Sequence, residues 1–167
     1  MRTGTRAFCG RDHDHGGCVS EALRAAEEAC GRRGARLTDL RRRVLELVWE
    51  SHRPIGAYGV LEALMKEQRA APPTVYRALD FLQEHGLVHR IASLNAYVGC
   101  SRPGKPHAGQ FLICGTCRES AEVADSRVSE AIEATASRAG FEVEQQTVEV
   151  LGTCPRCRRG SDDAAGS

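Results

Sequence analysis

Apolar positions between residues 20 and 86 recur at helical spacing. From Ser20 to about Arg32, Leu23, Ala26 and Cys30 share one face, and Gly31 and Gly34 end the run. Thr38 is placed to cap a second helix with the stripe Leu40, Val44, Leu47 and Val48. Arg41 stands where a full capping box wants Glu. Pro54 separates a third helix, about Ala57 to Gln68, with Val60, Leu61, Leu64 and Met65 inward. Pro72 and Pro73 then force an extended entry into a fourth, which Gly86 is placed to end. Its stripe is Val75, Ala78, Leu79 and Leu82, leaving Tyr76, Arg77, Asp80 and Glu84 outward. A helix, a short turn and a second helix with Tyr and Arg outward near its start is how a helix-turn-helix presents its reading residues.

Beyond Gly86 the period changes. Residues 87–91 and 96–100 alternate as two short strands around Ser93-Leu94-Asn95, a hairpin or wing. Three helices with a wing make a winged helix. Residues 101–106 have linker composition. Residues 110–114 and 120–124 then predict strands flanking a Cys-Gly-Thr-Cys turn. Asp125 or Ser126 caps a helix with Val128, Ile132 and Ala136 inward, closed by Gly140. Residues 141–151 read as one long strand whose apolar parity slips, from odd (Phe141, Val143) to even (Val148, Val150). A bulge near residues 145–147 would restore the buried face. The expected class is α+β: a Cys/His-containing tail over 1–17, a winged-helix domain over 18–100, a hinge over 101–106, a small α/β domain over 107–157, and a disordered polar tail over 158–167.

Length and composition suit a soluble globular chain of one medium or two small domains. No apolar run approaches the roughly 20 residues of a membrane span, and no secretory h-region follows Met1. A reducing cytoplasm is therefore expected, where eight cysteines serve as metal ligands or reactive thiols rather than disulfides. Net charge is only +1, but Arg32, Arg33, Arg36, Arg41, Arg42 and Arg43 form a basic cluster suited to phosphate. A solvated helix face would read the same way. No Ser/His/Asp arrangement, phosphate loop or carboxylate pair supports an enzyme or a small-molecule substrate.

The metal chemistry lies further on. Cys114/Cys117 and Cys154/Cys157 are two Cys-x-x-Cys knuckles, each able to give two thiolates to one tetrahedral zinc. The 36 residues between them exceed ribbon spacing, so a strand–helix–strand unit has to bring them together. The alternative is a redox dithiol, which calls for a thioredoxin-like setting and an exposed, acidified cysteine. His89, Cys100, His107 and Glu122 make a second donor set, straddling the linker. One thiolate, two imidazoles and a carboxylate suit zinc better than octahedral iron. On pattern alone Cys100 also fits a core position and Glu122 a solvated strand. Cys9, His13, His15 and Cys18 have spacing that could bind zinc, or form a tail that takes metal adventitiously.

Residues 20–157 resemble the ferric uptake regulator superfamily, and within it the zinc uptake regulators of Gram-negative bacteria. The resemblance is carried by Arg36-Leu37-Thr38, the block from Pro72 to Leu82, Gly86-Leu87-Val88-His89, the run from Asn95 to Cys100, Phe111-Leu112-Ile113-Cys114-x-x-Cys117, and Cys154-x-x-Cys157. It implies a homodimeric, zinc-activated repressor of zinc-uptake genes that binds palindromic double-stranded DNA. It also implies two Zn2+ per chain: a regulatory ion at His89, Cys100, His107 and Glu122, and a structural one at the later cysteines. Tyr58 and Arg77 match base-contacting positions, and Thr74 and Tyr76 match contacts to the DNA backbone. Iron-sensing relatives carry several histidines before the first knuckle. Here Pro106-His107-Ala108-Gly109 has one, which counts against iron; manganese and nickel are further alternatives within the superfamily.

Overall fold

The computed structural model describes residues 15–50, 53–105 and 107–164. They fall into two compact units, one ending at the linker and one beginning at His107.

In the first unit, four helices precede a two-stranded wing. They are α1 (His15–Arg32), α2 (Asp39–Trp49), α3 (Ala57–Met65) and α4 (Pro72–Glu84). Helix α1 starts five residues before the expected Ser20. The Thr38 hydroxyl accepts from the Arg41 N–H at 3.4 Å, which satisfies one of the donors a helix start leaves unpaired. Apolar stripes of the four helices merge into one core holding Leu23, Val44, Leu45, Val60, Leu64, Val75, Leu79 and Leu82. Cys30 belongs to it, and burial pushes its thiol pKa up. The expected inward Met65 is 60% exposed: α3 ends at this residue instead of running to the expected Gln68, and Leu64 beside it is the last of the helix to enter the core. Gly86, at φ +66°, supplies the left-handed residue that ends α4.

The wing pairs β1 (Val88–Ile91) with β2 (Ala96–Gly99), antiparallel, with Val88 opposite Gly99. A short 3-10 turn over Ala92–Leu94 and Asn95 at φ 46° reverse the chain. Ile55, before α3, extends the ladder: its N–H donates to the Tyr97 carbonyl at 3.0 Å, and Tyr97 N–H donates back at 2.8 Å. Of the arginine cluster, four members have partners in this unit, Arg33 donating to the Glu84 carbonyl at 3.5 Å. Arg41 lies 3.5 Å from the Phe81 ring centroid, Arg42 pairs with Glu27, and Arg43 pairs with Glu46, Glu50 and Glu67. The cluster is thus partly internal wiring rather than a uniform phosphate-facing patch.

The second unit is a three-stranded sheet of order β4-β3-β5 with two helices. Strand β3 (Gly109–Cys114) is central, antiparallel to β4 (Ser120–Val123) and parallel to β5 (Thr147–Gly152), with α5 (Ser126–Arg138) in the crossover. Its near-continuous burial reflects cover on both faces. Asp125 caps α5 through the Arg127 N–H at 3.0 Å, and Gly140 at φ +68° closes it. The long bulged strand over residues 141–151 is corrected. Residues 141–146 lie outside any strand, and pairing begins at Thr147. The parity slip marks the start of the strand, and Phe141, 67% exposed, belongs to the connection. The expected tail after Cys157 is also corrected: α6 runs Pro155–Ala164, opened by a proline where a helix needs no N–H. No helix is long and apolar enough to cross a membrane among the described residues.

Candidate metal centre and nucleic-acid face

Strands β3 and β5 run parallel and end together, with Cys114 in register with Gly152 and the Gly115 N–H donating to the Gly152 carbonyl at 2.9 Å. Each strand end feeds a Cys-x-x-Cys turn, so two knuckles far apart in sequence emerge side by side. The first is closed by Arg118 at φ 62°, whose N–H donates to the Cys114 carbonyl at 2.9 Å. In the second, the Arg158 N–H donates to the Cys154 carbonyl at 3.0 Å. One sulfur from each of Cys114, Cys117, Cys154 and Cys157 lies within 4.8 Å of the other three. The Cys117 and Cys154 sulfurs are 3.8 Å apart, well beyond the roughly 2 Å of a disulfide.

This donor set fits zinc. Backbone N–H groups already point at sulfur, from Cys154 to Cys114 at 3.4 Å and from Cys157 to Cys154 at 3.5 Å. The Cys114 thiol pKa is held down to about 6, chiefly by a backbone N–H at Cys117 and then one at Cys154. Cys157 is pushed up to about 12, first by its hydrogen bond with Cys154 and then by burial. One of the crowded sulfurs thus ionises readily while another, beside it, resists ionisation. Only a cation at their centre allows all four to be thiolates. Arg156, inside the second knuckle, donates to Glu119, just beyond the first, at 2.6 Å and staples the two turns. Sequence reasoning missed this pair, although opposite charges sit beside both knuckles.

The other four expected ligands are placed two in each unit. In the first, His89 lies on β1, half-buried, and Cys100 follows β2, only 2% exposed. Cys100 is tied to the wing by its N–H donating to the Leu87 carbonyl at 3.0 Å, and its sulfur accepts from the Arg102 N–H at 3.4 Å. In the second, His107 precedes β3 and Glu122 lies on β4 opposite Phe111. The His107 Nε2 and a Glu122 carboxylate oxygen are 2.7 Å apart, so the imidazole and carboxylate already face each other. Burial thus removes one alternative, since Glu122 is half-buried and partnered rather than solvated. Cys9 and His13 lie outside the described residues. Cys18 sits on α1, half-buried.

The outward surface of α3 and α4 carries the residues expected to meet nucleic acid. Tyr58, one residue into α3, is 72% exposed. On the first turns of α4, Tyr76 and Arg77 are exposed and Thr74 is half-buried. Tyr58 and Tyr76 line one shallow notch with Ala57, Leu61, Pro72 and Val75, which holds the two helix starts side by side. Asp80 and Glu84 continue the same exposed face, and His85 ends α4 with its Nδ1 2.9 Å from the Phe81 carbonyl.

Comparison with known proteins agrees with this arrangement. The zinc uptake regulation protein of Escherichia coli strain K12 is 39% identical over 141 residues, covering 83% of this chain and 82% of that protein. A structure described as a zinc uptake regulator complexed with zinc and DNA superposes with a TM-score of 0.81 at 37% identity, over 86% of this chain and 97% of its own. The crystal structure of holo XcZur gives 0.78 at 43% identity, over 84% and 99%. The model of the ferric uptake regulator family matches residues 32–151, which takes in α2 to α4, the wing, Cys114 and Cys117 of the four clustered cysteines, and the His107–Glu122 pair; the chain belongs to that family.

Proposed function

We propose that this chain is a zinc-responsive transcriptional repressor. As a homodimer it binds palindromic operator DNA ahead of zinc-uptake genes when its regulatory site is filled. The observation that carries the zinc assignment is the sulfur-bearing donor chemistry, above all the four converging cysteines, in a chain similar to proteins named for zinc uptake. Cys114, Cys117, Cys154 and Cys157 would hold a structural ion. His89 and Cys100 from the wing, with His107 and Glu122 from beyond the linker, would hold the regulatory one. Iron sites favour N/O ligands without thiolate, which sets Cys100 against an iron-sensing reading.

Bound zinc supplies a tie between donors on either side of residues 101–106. In the metal-free dimer the reading heads then move about that hinge, and the tie selects the spacing at which two α4 helices enter successive major grooves. Moving such an equilibrium from 1:99 to 99:1 takes about 5.5 kcal/mol of preference for one form, within reach of four ligands. Arg77 is free of the core stripe and can donate two hydrogen bonds to a guanine. Tyr58 reaches a base edge, while Thr74 and Tyr76 hold the DNA backbone. Support for the dimer comes from the second unit, where Val128, Phe141, Val150 and Leu151 are exposed apolar side chains that contact with a second copy could cover.

The test is zinc stoichiometry per chain together with a gel shift on palindromic DNA. Two equivalents are expected, with operator binding that requires the second. Cys100→Ser should retain the dimer and one equivalent while losing the zinc-dependent shift. A Cys100→Ser protein with the full metal response removes the regulatory-site reading. A stronger response to iron, manganese or nickel than to zinc replaces the metal.

A further inference from the structure

The indole of Trp49, the last residue of α2, lies against the backbone of β2 at Gly99. A Cβ added at Gly99 would sit 2.1 Å from the indole Cε2 and 2.2 Å from Nε1, so only glycine admits the ring there. Gly99 pairs with Val88 across the wing. The next residue on one strand is Cys100 and on the other His89. The ring therefore presses on the one cross-strand pair that immediately precedes both candidate wing ligands. Its own base is firm: Val48 is 1% exposed in the core, and Glu50, one residue beyond Trp49, pairs with Arg43 at 3.1 Å. Sequence patterning gave no sign of this contact, since a Trp at a helix end and a Gly in a strand each look incidental.

We propose that Trp49 is a positioning residue for the wing half of the metal site. Its close contact with Gly99 fixes the strand pair that presents His89 and Cys100. This rests on the assignment of those two as zinc ligands. Groups that orient metal ligands from behind typically contribute about 10–100-fold in metal affinity. Trp49 is also the only tryptophan in the chain, so its emission reports directly on this contact.

The experiment uses full-length dimer titrated with zinc ions against a competing chelator, with tryptophan emission followed throughout. In the unaltered protein, emission should change with the second equivalent of zinc, not the first, and Cys100→Ser should abolish that change. Trp49→Ala and Gly99→Ala should each weaken the second equivalent about tenfold and leave the first intact, while Trp49→Phe stays within about twofold. The double variant should be no worse than Trp49→Ala alone, because the added methyl matters only while the indole is there. Fully additive losses, an indole blind to the second equivalent, or unweakened binding in Trp49→Ala each overturn the proposal. If Gly99→Ala does not fold, emission and Trp49→Ala still decide. Retention of the second equivalent by Cys100→Ser would instead refute the ligand assignment, and the positioning role with it.

Discussion

Replacing Gln110 by Leu gives a loss of stability whose size can be worked out bond by bond. Gln110 lies on the central strand β3 and is 4% exposed, the only buried polar side chain among the described residues. Its amide nitrogen donates to the Asp125 carbonyl at 2.9 Å and to the Ser129 hydroxyl at 3.1 Å, and its oxygen accepts from the Asp125 N–H at 3.2 Å. One side chain thus satisfies the backbone where α5 begins. Leu has nearly the same volume, so the cavity contribution is small. Three hydrogen bonds of about 1 kcal/mol each are lost, and the half-buried Asp125 N–H and carbonyl must find water. The expected loss is about 2–4 kcal/mol, or roughly 10–25 °C in the melting temperature of a unit this size. Urea unfolding at a fixed free-zinc concentration, followed by circular dichroism, measures it, since unequal zinc would shift stability by mass action. Gln110→Glu, which at neutral pH sets a buried carboxylate oxygen against the Asp125 carbonyl, should lose more than Gln110→Leu. A Gln110→Leu protein within about 0.5 kcal/mol of the parent, at an unchanged m value, would refute the reasoning.

Three further outcomes are expected. Cys114→Ser should release the structural zinc and cost most of the second unit's stability, since such sites contribute about 10–16 kcal/mol of apparent binding energy; a folded, dimeric, fully metallated variant by mass spectrometry and light scattering counts against it. Arg77→Ala should weaken operator binding by about 1–3 kcal/mol and relax preference at one base pair, read by gel shifts on single-base operator variants; uniform weakening across all sequences would assign Arg77 to phosphate instead. The Arg127 side chain, and then its N–H, hold the Asp125 carboxyl down at about 2. Because that value lies below the ordinary carboxylate range, the ionised cap contributes its full share above about pH 4 and loses it as pH falls toward 2. Carboxyl NMR of Arg127→Ala should show Asp125 titrating at an ordinary value, and an unmoved titration would exclude this pair as the cause.

The helices of the first unit were legible because each apolar stripe agrees with its end signals. In α4 the prolines, the stripe from Val75 to Leu82 and Gly86 all point to one segment, and the four stripe residues are the buried ones. Met65 was misplaced because periodicity does not say where a helix stops: α3 ends at Met65, short of the expected Gln68. The segment 141–146 was misread for a related reason. Exposed Phe141 looks like a core residue to any rule that equates apolar with inside, and in this chain it is surface. The knuckles were legible from spacing, because a Cys-x-x-Cys turn is nearly a chemical statement. Gln110, the Arg156–Glu119 staple and the Trp49–Gly99 contact were not. Each depends on which residues meet across strands or turns distant in sequence, and no local pattern encodes that.

The parallel pairing of β3 with β5 has a consequence for how the protein is made. The sulfur of Cys114 leaves the ribosome some forty residues before that of Cys157, and β5, which aligns the two knuckles, is nearly the last strand to emerge. Half of the cage must therefore wait, reduced and without its metal, until β5 and the second knuckle have been made. A nascent chain stalled anywhere before Cys154 can hold no complete cage, so zinc acquisition at this site marks a chain translated through its second knuckle.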